Sequence, residues 1–288
     1  MTLKLKTLKK LENTPPWEWP EDTGAALLDL LRHPGASEEE RLLGVELAGD
    51  SVVINDALAG VLLIVLRNGG ESQLVRSKAA LSLGPVLELC DTDGFDDPDE
   101  VPVKESTFRE IQETMRTLYL DNSIPKEVRR RILEASVRAP LDWHAEAIRT
   151  AYASDDEEWR LTAVFCMQHV RGFDEQILAA LDSRNLDIQV EAVCAAGNWE
   201  VSAAWSHVLS LVTAKDTDRR LLLAAITAVG GIHPEEASQV LEHLADSEDE
   251  EIAEAVLEAT AMAHVRWNDE AEIDGDDDED DEDSGPLN

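Results

Sequence analysis

The stretch Ser123–Ala135, SIPKEVRRRILEA, carries Val128, Ile132 and Ala135 at positions i, i+4 and i+7. This spacing places three apolar side chains on one face of an α-helix. The pattern recurs along the chain, and the residues equivalent to Val128 are separated by 31, 29, 33 and 31 positions: Val128, Trp159, Ile188, Leu221 and Ile252. Five occurrences in register predict a helical repeat of about 31 residues.

Each of these helices is preceded by a residue type that caps helix starts. Five positions before the equivalent residues stand Ser123, Ser154, Ser183, Asp216 and Ser247. Ser and Asp side chains accept hydrogen bonds from the unpaired amides of a first turn. The sequence therefore predicts that the helices begin directly after these residues.

A second helix follows in each repeat, because i, i+4 apolar pairs recur there as well. The pairs are Ile148/Tyr152, Ile177/Leu181, Val208/Val212 and Val240/Leu244. One hairpin cannot bury its own apolar stripe, whereas stacked hairpins bury it against each other. We expect an all-α fold, a right-handed α-solenoid of about seven stacked helical hairpins.

The ends of the chain differ in composition from this core. Residues 1–22 form a basic N-terminal arm and a lead-in rich in Trp and Pro, and residues 23–268 form the solenoid. An acidic loop is inserted at residues 91–104. Between Asp269 and Asp283 there are twelve acidic residues and no basic ones, so we expect residues 269–288 to be a disordered acidic tail.

The repeats resemble the HEAT-like repeat family in its short, phycobilin-lyase form. The resemblance rests on Val75-Arg76, Val128-Arg129 and Trp159-Arg160, with small residues downstream such as Ala192 and Gly197, and it covers about residues 23 to 265. It implies the solenoid fold and leaves the function open. It also implies that Arg76, Arg129 and Arg160 join a ladder between hairpins, with these acidic partners available: Glu127, Asp156 and Asp187.

The charge of the chain restricts its partners. The 61 Asp and Glu residues exceed the 25 Lys and Arg residues, for a formal net charge of −36. Such a surface repels phosphate, so we expect no nucleic-acid partner, and a DNA-repair glycosylase of HEAT-like fold is disfavoured. A basic protein partner would be attracted.

Sequence motifs for catalysis are missing from the chain. It has no G-x-S-x-G, phosphate-binding loop or dinucleotide fingerprint, and we expect no cofactor. The seven histidines show no metal-site spacing, and no His-Glu dipeptide of the kind found in HEAT-like di-iron hydroxylases occurs. The three cysteines lie in apolar stretches without a disulfide pattern, which predicts a reducing, cytoplasmic setting.

Two groups of residues are candidates for binding. The first lies in the turns within the hairpins, along one edge of the solenoid: Trp143, His144, Arg171, Phe173, Trp199 and His233. The second lies on the second helices, which we expect to line a concave face: Tyr152, Trp205, His207 and His243. Exposed Trp and Arg side chains are frequent binding anchors, although aromatic residues in turns also cover the ends of their own hairpins.

Two functions are compatible with these patterns. The first is a non-enzymatic scaffold or adaptor for protein–protein interaction that presents an acidic solenoid surface and has no membrane association. The alternative, implied only by the resemblance, is a phycobilin-lyase-like or lyase-chaperone protein that acts on a partner subunit. No residue in the chain marks the lyase activity, and the sequence leans towards a non-enzymatic role without deciding it.

Overall fold

The computed structural model describes residues 4–97 and 101–276. Within these ranges every regular element is a helix, which confirms the predicted all-α class. The chain divides into two compact units, residues 1–154 and residues 155–288. In both units, helical hairpins stack in two layers, which is the α-solenoid architecture. The right-handed superhelix stays a prediction.

In the described residues of unit 1 there are nine α-helices, six of which lie in two layers. One layer contains α3, α5 and α8 in contact along the stack, and the other contains α2, α4 and α7. The helices are α1 (Leu5–Glu12), α2 (Thr23–Arg32), α3 (Glu38–Ala48), α4 (Asp56–Arg67), α5 (Gln73–Leu81), α6 (Gly84–Asp93), α7 (Glu105–Leu120), α8 (Lys126–Ser136) and α9 (Asp142–Tyr152).

Unit 2 repeats this arrangement with the first helices of successive hairpins in contact. Helices α10, α12, α14 and α16 form one layer, and α11, α13 and α15 each pack on the first helix that follows them. The helices are α10 (Glu157–Met167), α11 (Asp174–Leu181), α12 (Leu186–Asn198), α13 (Trp205–Thr213), α14 (Arg219–Ile232), α15 (Ala237–Leu241) and α16 (Glu250–Asp276).

The predicted apolar stripe forms the core of both units. In α8, Val128, Ile132 and Ala135 are buried, and in α12 the equivalent Ala192 and Ala195 are buried as well. The small residues in this stripe let neighbouring first helices approach closely.

The helices start later than the sequence predicted. Asp156, Asn185 and Asp218 cap α10, α12 and α14 through their side chains, two positions after the expected Ser154, Ser183 and Asp216. Two of the expected serines instead accept hydrogen bonds within the turn that precedes the helix. Ser183 and Ser247 accept hydrogen bonds from the amides of Asn185 and Asp249 through their hydroxyl oxygens, so they order the turn before the helix. Pro125 stands at the start of α8, also two positions after the expected Ser123.

Within unit 1, the described part of the basic N-terminal arm packs on the first hairpin. Helix α1 buries Leu8 and Leu11 and packs on α3. The Lys9 ammonium lies 2.7 Å from a carboxylate oxygen of Glu39. The lysine-rich segment is therefore attached to the acidic body through both apolar and ionic contacts.

Two predicted boundaries fall inside helices. The inserted acidic segment 91–104 begins within α6, which ends at Asp93, and part of it, residues 98–100, lies outside the described residues. The predicted tail 269–288 begins within α16, which extends to Asp276, and residues 277–288 lie outside the described residues. The disorder of the tail therefore stays a prediction.

A recurrent hydrogen bond joins four of the hairpins to the helix before them. In α5, α8 and α12 the residue after the predicted stripe position donates to a carbonyl near the end of the preceding second helix. The bonds are Arg76 Nε to Leu66 O at 2.9 Å, Arg129 Nε to Tyr119 O at 2.7 Å and Gln189 Nε2 to Leu181 O at 3.3 Å. Arg41 makes the same contact with Leu31 O at 3.1 Å. Carbonyls at a helix end lack intrahelical donors, and these side chains supply them.

The ladder expected for Arg76, Arg129 and Arg160 stays a prediction. Glu127 pairs with Arg130 and Arg131, and Asp187 pairs with Arg220. Arg76 is buried and directs its Nε to a backbone carbonyl. The side chain after the stripe position thus caps the preceding helix in addition to any ionic contact.

Candidate functional site

In unit 1 the structure places both candidate turn residues against the protein body. The Trp143 ring is half-buried and packs on Tyr119, with ring centroids 5.1 Å apart, and on His144, with centroids 3.8 Å apart. His144 is 1% exposed. For this pair the turn folds inward and covers the end of its own hairpin.

Hydrogen bonds hold the His144 ring in a defined state. The Leu141 amide donates to Nδ1 at 2.8 Å, and Nε2 lies 3.0 Å from the Ser136 hydroxyl oxygen. An imidazole that accepts at Nδ1 carries its proton at Nε2 when neutral. Burial lowers the pKa of His144 to about 4, against an ordinary value of 6.5. This histidine is a neutral core residue at neutral pH.

In unit 2 the turn residues divide between core and surface. Phe173 is 2% exposed and belongs to the core. Arg171 is exposed and stacks over the half-buried Trp199 ring, with its guanidinium carbon 4.6 Å from the ring centroid. The Trp199 indole nitrogen donates to the Met167 carbonyl oxygen. The structure therefore brings Arg171 and Trp199 together, with Trp199 fixed by its own bond to α10.

The remaining candidates lie on or near the second helices. Trp205 and His233 are half-buried and stack with ring centroids 4.6 Å apart, so one residue from each predicted group meets there. The His243 ring nitrogens Nδ1 and Nε2 lie 3.1 Å and 3.0 Å from the carbonyl oxygens of Val240 and Val212. His207, on α13, and Tyr152, at the end of α9, are half-buried.

One group of side chains has the composition of a metal site. His233, Glu235 and Glu236 each offer a ligand atom, and these atoms lie within 4.8 Å of one another. In the sequence this group appears as His-Pro-Glu-Glu. The spacing between histidines alone does not reveal such a group. Exposed acidic groups often stand this close without an ion. The contact of 2.8 Å between His233 Nδ1 and the Glu235 carboxylate accounts for part of the arrangement.

A larger feature of unit 2 was not predicted from the sequence. The outer faces of α12, α14 and α16, with the end of α10, form a depression of about 900 Å³, called here the first-helix groove. Its lining is Gln168, Cys194, Gly197, Asn198, Ala224, Thr227, Ala228, Gly230, Gly231, Ala255, Glu258, Ala259, Ala261, Met262 and Val265. The four candidates assigned to a concave face of second helices are absent from this lining.

Glycines form the floor of this groove because the helix backbones meet there. A Cβ atom on Gly197 would lie 2.8 Å from the Ala228 Cα, and one on Gly231 would lie 2.4 Å from the Gly197 carbonyl oxygen. On the other side, a Cβ on Gly230 would lie 2.9 Å from the Ala259 carbonyl oxygen. Close approach of α12, α14 and α16 therefore requires glycine at these positions.

Several arginines in both units form ion pairs between elements of the same unit. These pairs are Arg41–Glu71, Arg67–Glu110, Arg138–Glu88, Arg219–Asp249 and Arg220–Asp187. The basic triplet contributes as well, because Arg130 and Arg131 both pair with Glu127 and the Arg130 side chain is 3% exposed. These contacts neutralise part of the negative charge within each unit.

Comparisons with known proteins give a fold likeness and no family. No family model and no curated protein matches the chain. The solved structure of YibA from E. coli is 15% identical, covers 90% of this chain and 93% of its own, and gives a TM-score of 0.45. Human deoxyhypusine hydroxylase in complex with glycerol is 16% identical, with coverages of 90% and 88% and a TM-score of 0.39.

Both of these proteins are all-helical and of HEAT-repeat type. At such TM-scores the likeness carries no argument, so the α-solenoid assignment rests on the helices and contacts of this chain. Membership of the HEAT-like family stays a prediction. Among the described residues, no helix combines the length and the apolar character that crossing a membrane requires.

Proposed function

We propose that the protein is a non-enzymatic scaffold or adaptor that binds a basic protein partner through an acidic solenoid surface. The observation that carries this proposal is that several of its arginines already pair with carboxylates of their own unit. Arg41, Arg138 and Arg219, for example, each face a carboxylate of another element in their unit. Because acidic residues outnumber basic ones 61 to 25, these pairs leave a large surplus of carboxylates at the surface.

This surplus favours a partner of opposite charge. Complementary charge accelerates encounter and selects against acidic competitors, and the effect is screened as salt rises. Stacked helical hairpins provide a long surface on which such a partner can dock. The proposal therefore predicts association that depends strongly on ionic strength.

The experiment is affinity purification with the full chain at about 50 mM and about 500 mM NaCl. These concentrations lie below and above the physiological ionic strength of about 0.15 M. Partners identified by mass spectrometry are then purified, and the Kd of each is measured across the same salt range. We expect partners of high isoelectric point whose Kd rises steadily with salt. Partners that are acidic or neutral, or that bind equally at both salt concentrations, would refute the electrostatic basis of the proposal.

A further inference from the structure

The first-helix groove combines a mostly apolar floor with an acidic side. Small residues such as Ala224, Ala228 and Ala259 line its base. At its α16 side, Met262 and Val265 are 64% and 63% exposed, which is high for apolar residues on a packed helix. Adjoining exposed apolar side chains of this kind mark interaction sites, and Met side chains adapt to partner surfaces of varied shape.

The charge of the groove has one sign. Glu258 is the only charged residue in the lining, and it is exposed. Next to the lining, Glu191 of α12 accepts a hydrogen bond of 2.5 Å from the Gln168 amide. The arginines at the start of α14 are engaged elsewhere, Arg219 with Asp249 and Arg220 with Asp187. The lining therefore presents one exposed carboxylate, Glu258, to an occupant and contains no cation.

The dimensions of the groove suit a helix. Packed helices lie about 8–10 Å apart, so a floor that crosses α12, α14 and α16 is about 20 Å long. That length corresponds to about 13 residues of α-helix. A helix lying in a groove presents apolar residues at i, i+3, i+4 and i+7 to the floor, and its flanking positions then lie beside Glu258.

We propose that the first-helix groove binds one amphipathic α-helix of the basic partner. Its apolar face would lie on the floor near Met262, and lysine or arginine side chains would lie beside Glu258. The inference rests on the proposed function and adds the place and the form of the contact. Charge complementarity selects this occupant, since the acidic tail of the chain itself would be repelled by the same carboxylate.

The test uses a fluorescent 18-residue peptide of leucine and lysine with one apolar helical face, and the full protein chain. A second peptide with the same residues in scrambled order keeps the charge and loses the face. Fluorescence anisotropy at low salt gives the Kd of each peptide. We expect the amphipathic peptide to bind at least about tenfold more tightly than the scrambled one, because only it can bury an apolar face in the groove.

Two pairs of variants locate the contact. Glu258→Lys lies in the groove, and Glu242→Lys makes the same charge change at an exposed position outside the lining. We expect about a tenfold rise in Kd for Glu258→Lys and less than about a twofold rise for Glu242→Lys. Met262→Ser and Leu257→Ser form the second pair, both on α16 at exposed positions, with only Met262 in the lining. Only Met262→Ser should weaken binding.

The outcomes separate this inference from the proposed function. Equal effects within each pair, or equal binding of both peptides, would overturn the groove and leave the electrostatic scaffold intact. If neither cationic peptide binds in a salt-dependent way, both proposals fail.

A sedimentation shift from dimer to monomer caused by Met262→Ser would assign the groove to a second copy of the chain. If the neutral dye Nile red binds tightly and the peptide cannot displace it, the groove would be assigned to a small apolar ligand. Either result would overturn the inference.

Discussion

His144 shows how the surroundings of one side chain decide its role. Its position in a hairpin turn beside Trp143 is compatible with an exposed binding pair. The structure instead buries the ring against Ser136 and Leu141, where it contributes hydrogen bonds to the end of the hairpin. Burial without a negative partner disfavours the charged form of an imidazole.

The stability of the protein should depend on pH through this residue. The folded pKa of about 4 lies below the ordinary 6.5, so protonation favours the unfolded chain as pH falls from 6.5 towards 4. Between pH 7 and pH 5 this histidine should remove about 2 kcal/mol of unfolding free energy. His144→Gln lacks the titrating group, so its urea-unfolding free energy should fall less than that of the wild type over the same range.

Comparing the wild type with His144→Gln isolates the effect of His144, because the carboxylates titrate alike in both proteins. The difference between the wild type and His144→Gln should therefore shrink as the solution is acidified. Parallel pH dependences for the two proteins would show that His144 is not held neutral by burial.

Residue-scale predictions from the sequence were limited by side-chain direction. A turn sequence such as Trp143-His144 or Gly172-Phe173 shows which residues are present but not whether they fold over the hairpin end. Phe173 is buried, whereas Arg171, two positions earlier, is exposed. Trp143 and Trp199 pack against their own units, so substituting both with alanine would probe stability more than binding.

At the scale of helices, the contact between α12 and α14 depends on the absence of a side chain. Gly197→Ala would place a Cβ atom 2.8 Å from a backbone atom of Ala228, and the backbone cannot yield as a flexible side chain can. We expect a loss of at least about 2 kcal/mol of stability from this overpacking. Calorimetry of the variant should show a lowered melting temperature for unit 2.

Gly60→Ala is the matched control within another helix. It lies inside α4, and a Cβ atom there would meet nothing within 4 Å. Alanine favours helix over glycine, so this change should raise stability by about 0.5–1 kcal/mol. A destabilised Gly60→Ala, or a neutral Gly197→Ala, would contradict the role assigned to close backbone approach.

Sequence periodicity was most informative at this scale, and its errors have local causes. The stripe through Val128 and Ile188 was confirmed because burial repeats with the helix period. The starts were wrong by two positions because Ser183 and Asn185, like Ser154 and Asp156, are both capping types. Helix α6 was not predicted, since it opens with Gly84-Pro85 and runs into the acidic insertion.

For the molecule as a whole, the dominant property is its excess of negative charge. With a net charge of −36, repulsion between carboxylates opposes the compact state, and added salt screens it. We expect the melting temperature to rise between about 20 mM and about 500 mM NaCl, across which the Debye length falls severalfold. Differential scanning calorimetry measures this directly.

The ion pairs oppose this trend, because salt weakens them too. Pairs such as Arg67–Glu110 are exposed and contribute little individually, so the surplus of unpaired carboxylates should decide the sign. A melting temperature that falls with NaCl would show that the pairs outweigh the repulsion. Sucrose at matched osmolality serves as an uncharged control.

The first-helix groove could not be predicted from the sequence patterns. Gly197, Gly230 and Ala259 were visible as small residues within the repeat, but the groove exists only when helices from three successive hairpins stand side by side. Its charge comes from Glu258, which is exposed beside the apolar lining where α16 packs on α14. Both facts require the packing of distant segments and are invisible to spacing along one helix.

The hydrogen bonds from Arg41, Arg76, Arg129 and Gln189 to helix-end carbonyls have a consequence for engineering and for the growth of such arrays. Each bond spans only eight or ten residues across the junction between two hairpins. These four junctions therefore have nearly constant length, and we expect variation in repeat length to fall mainly in the turn within a hairpin. Modules for duplication or exchange should be cut at those inner turns, so that every transplanted piece carries an intact joint.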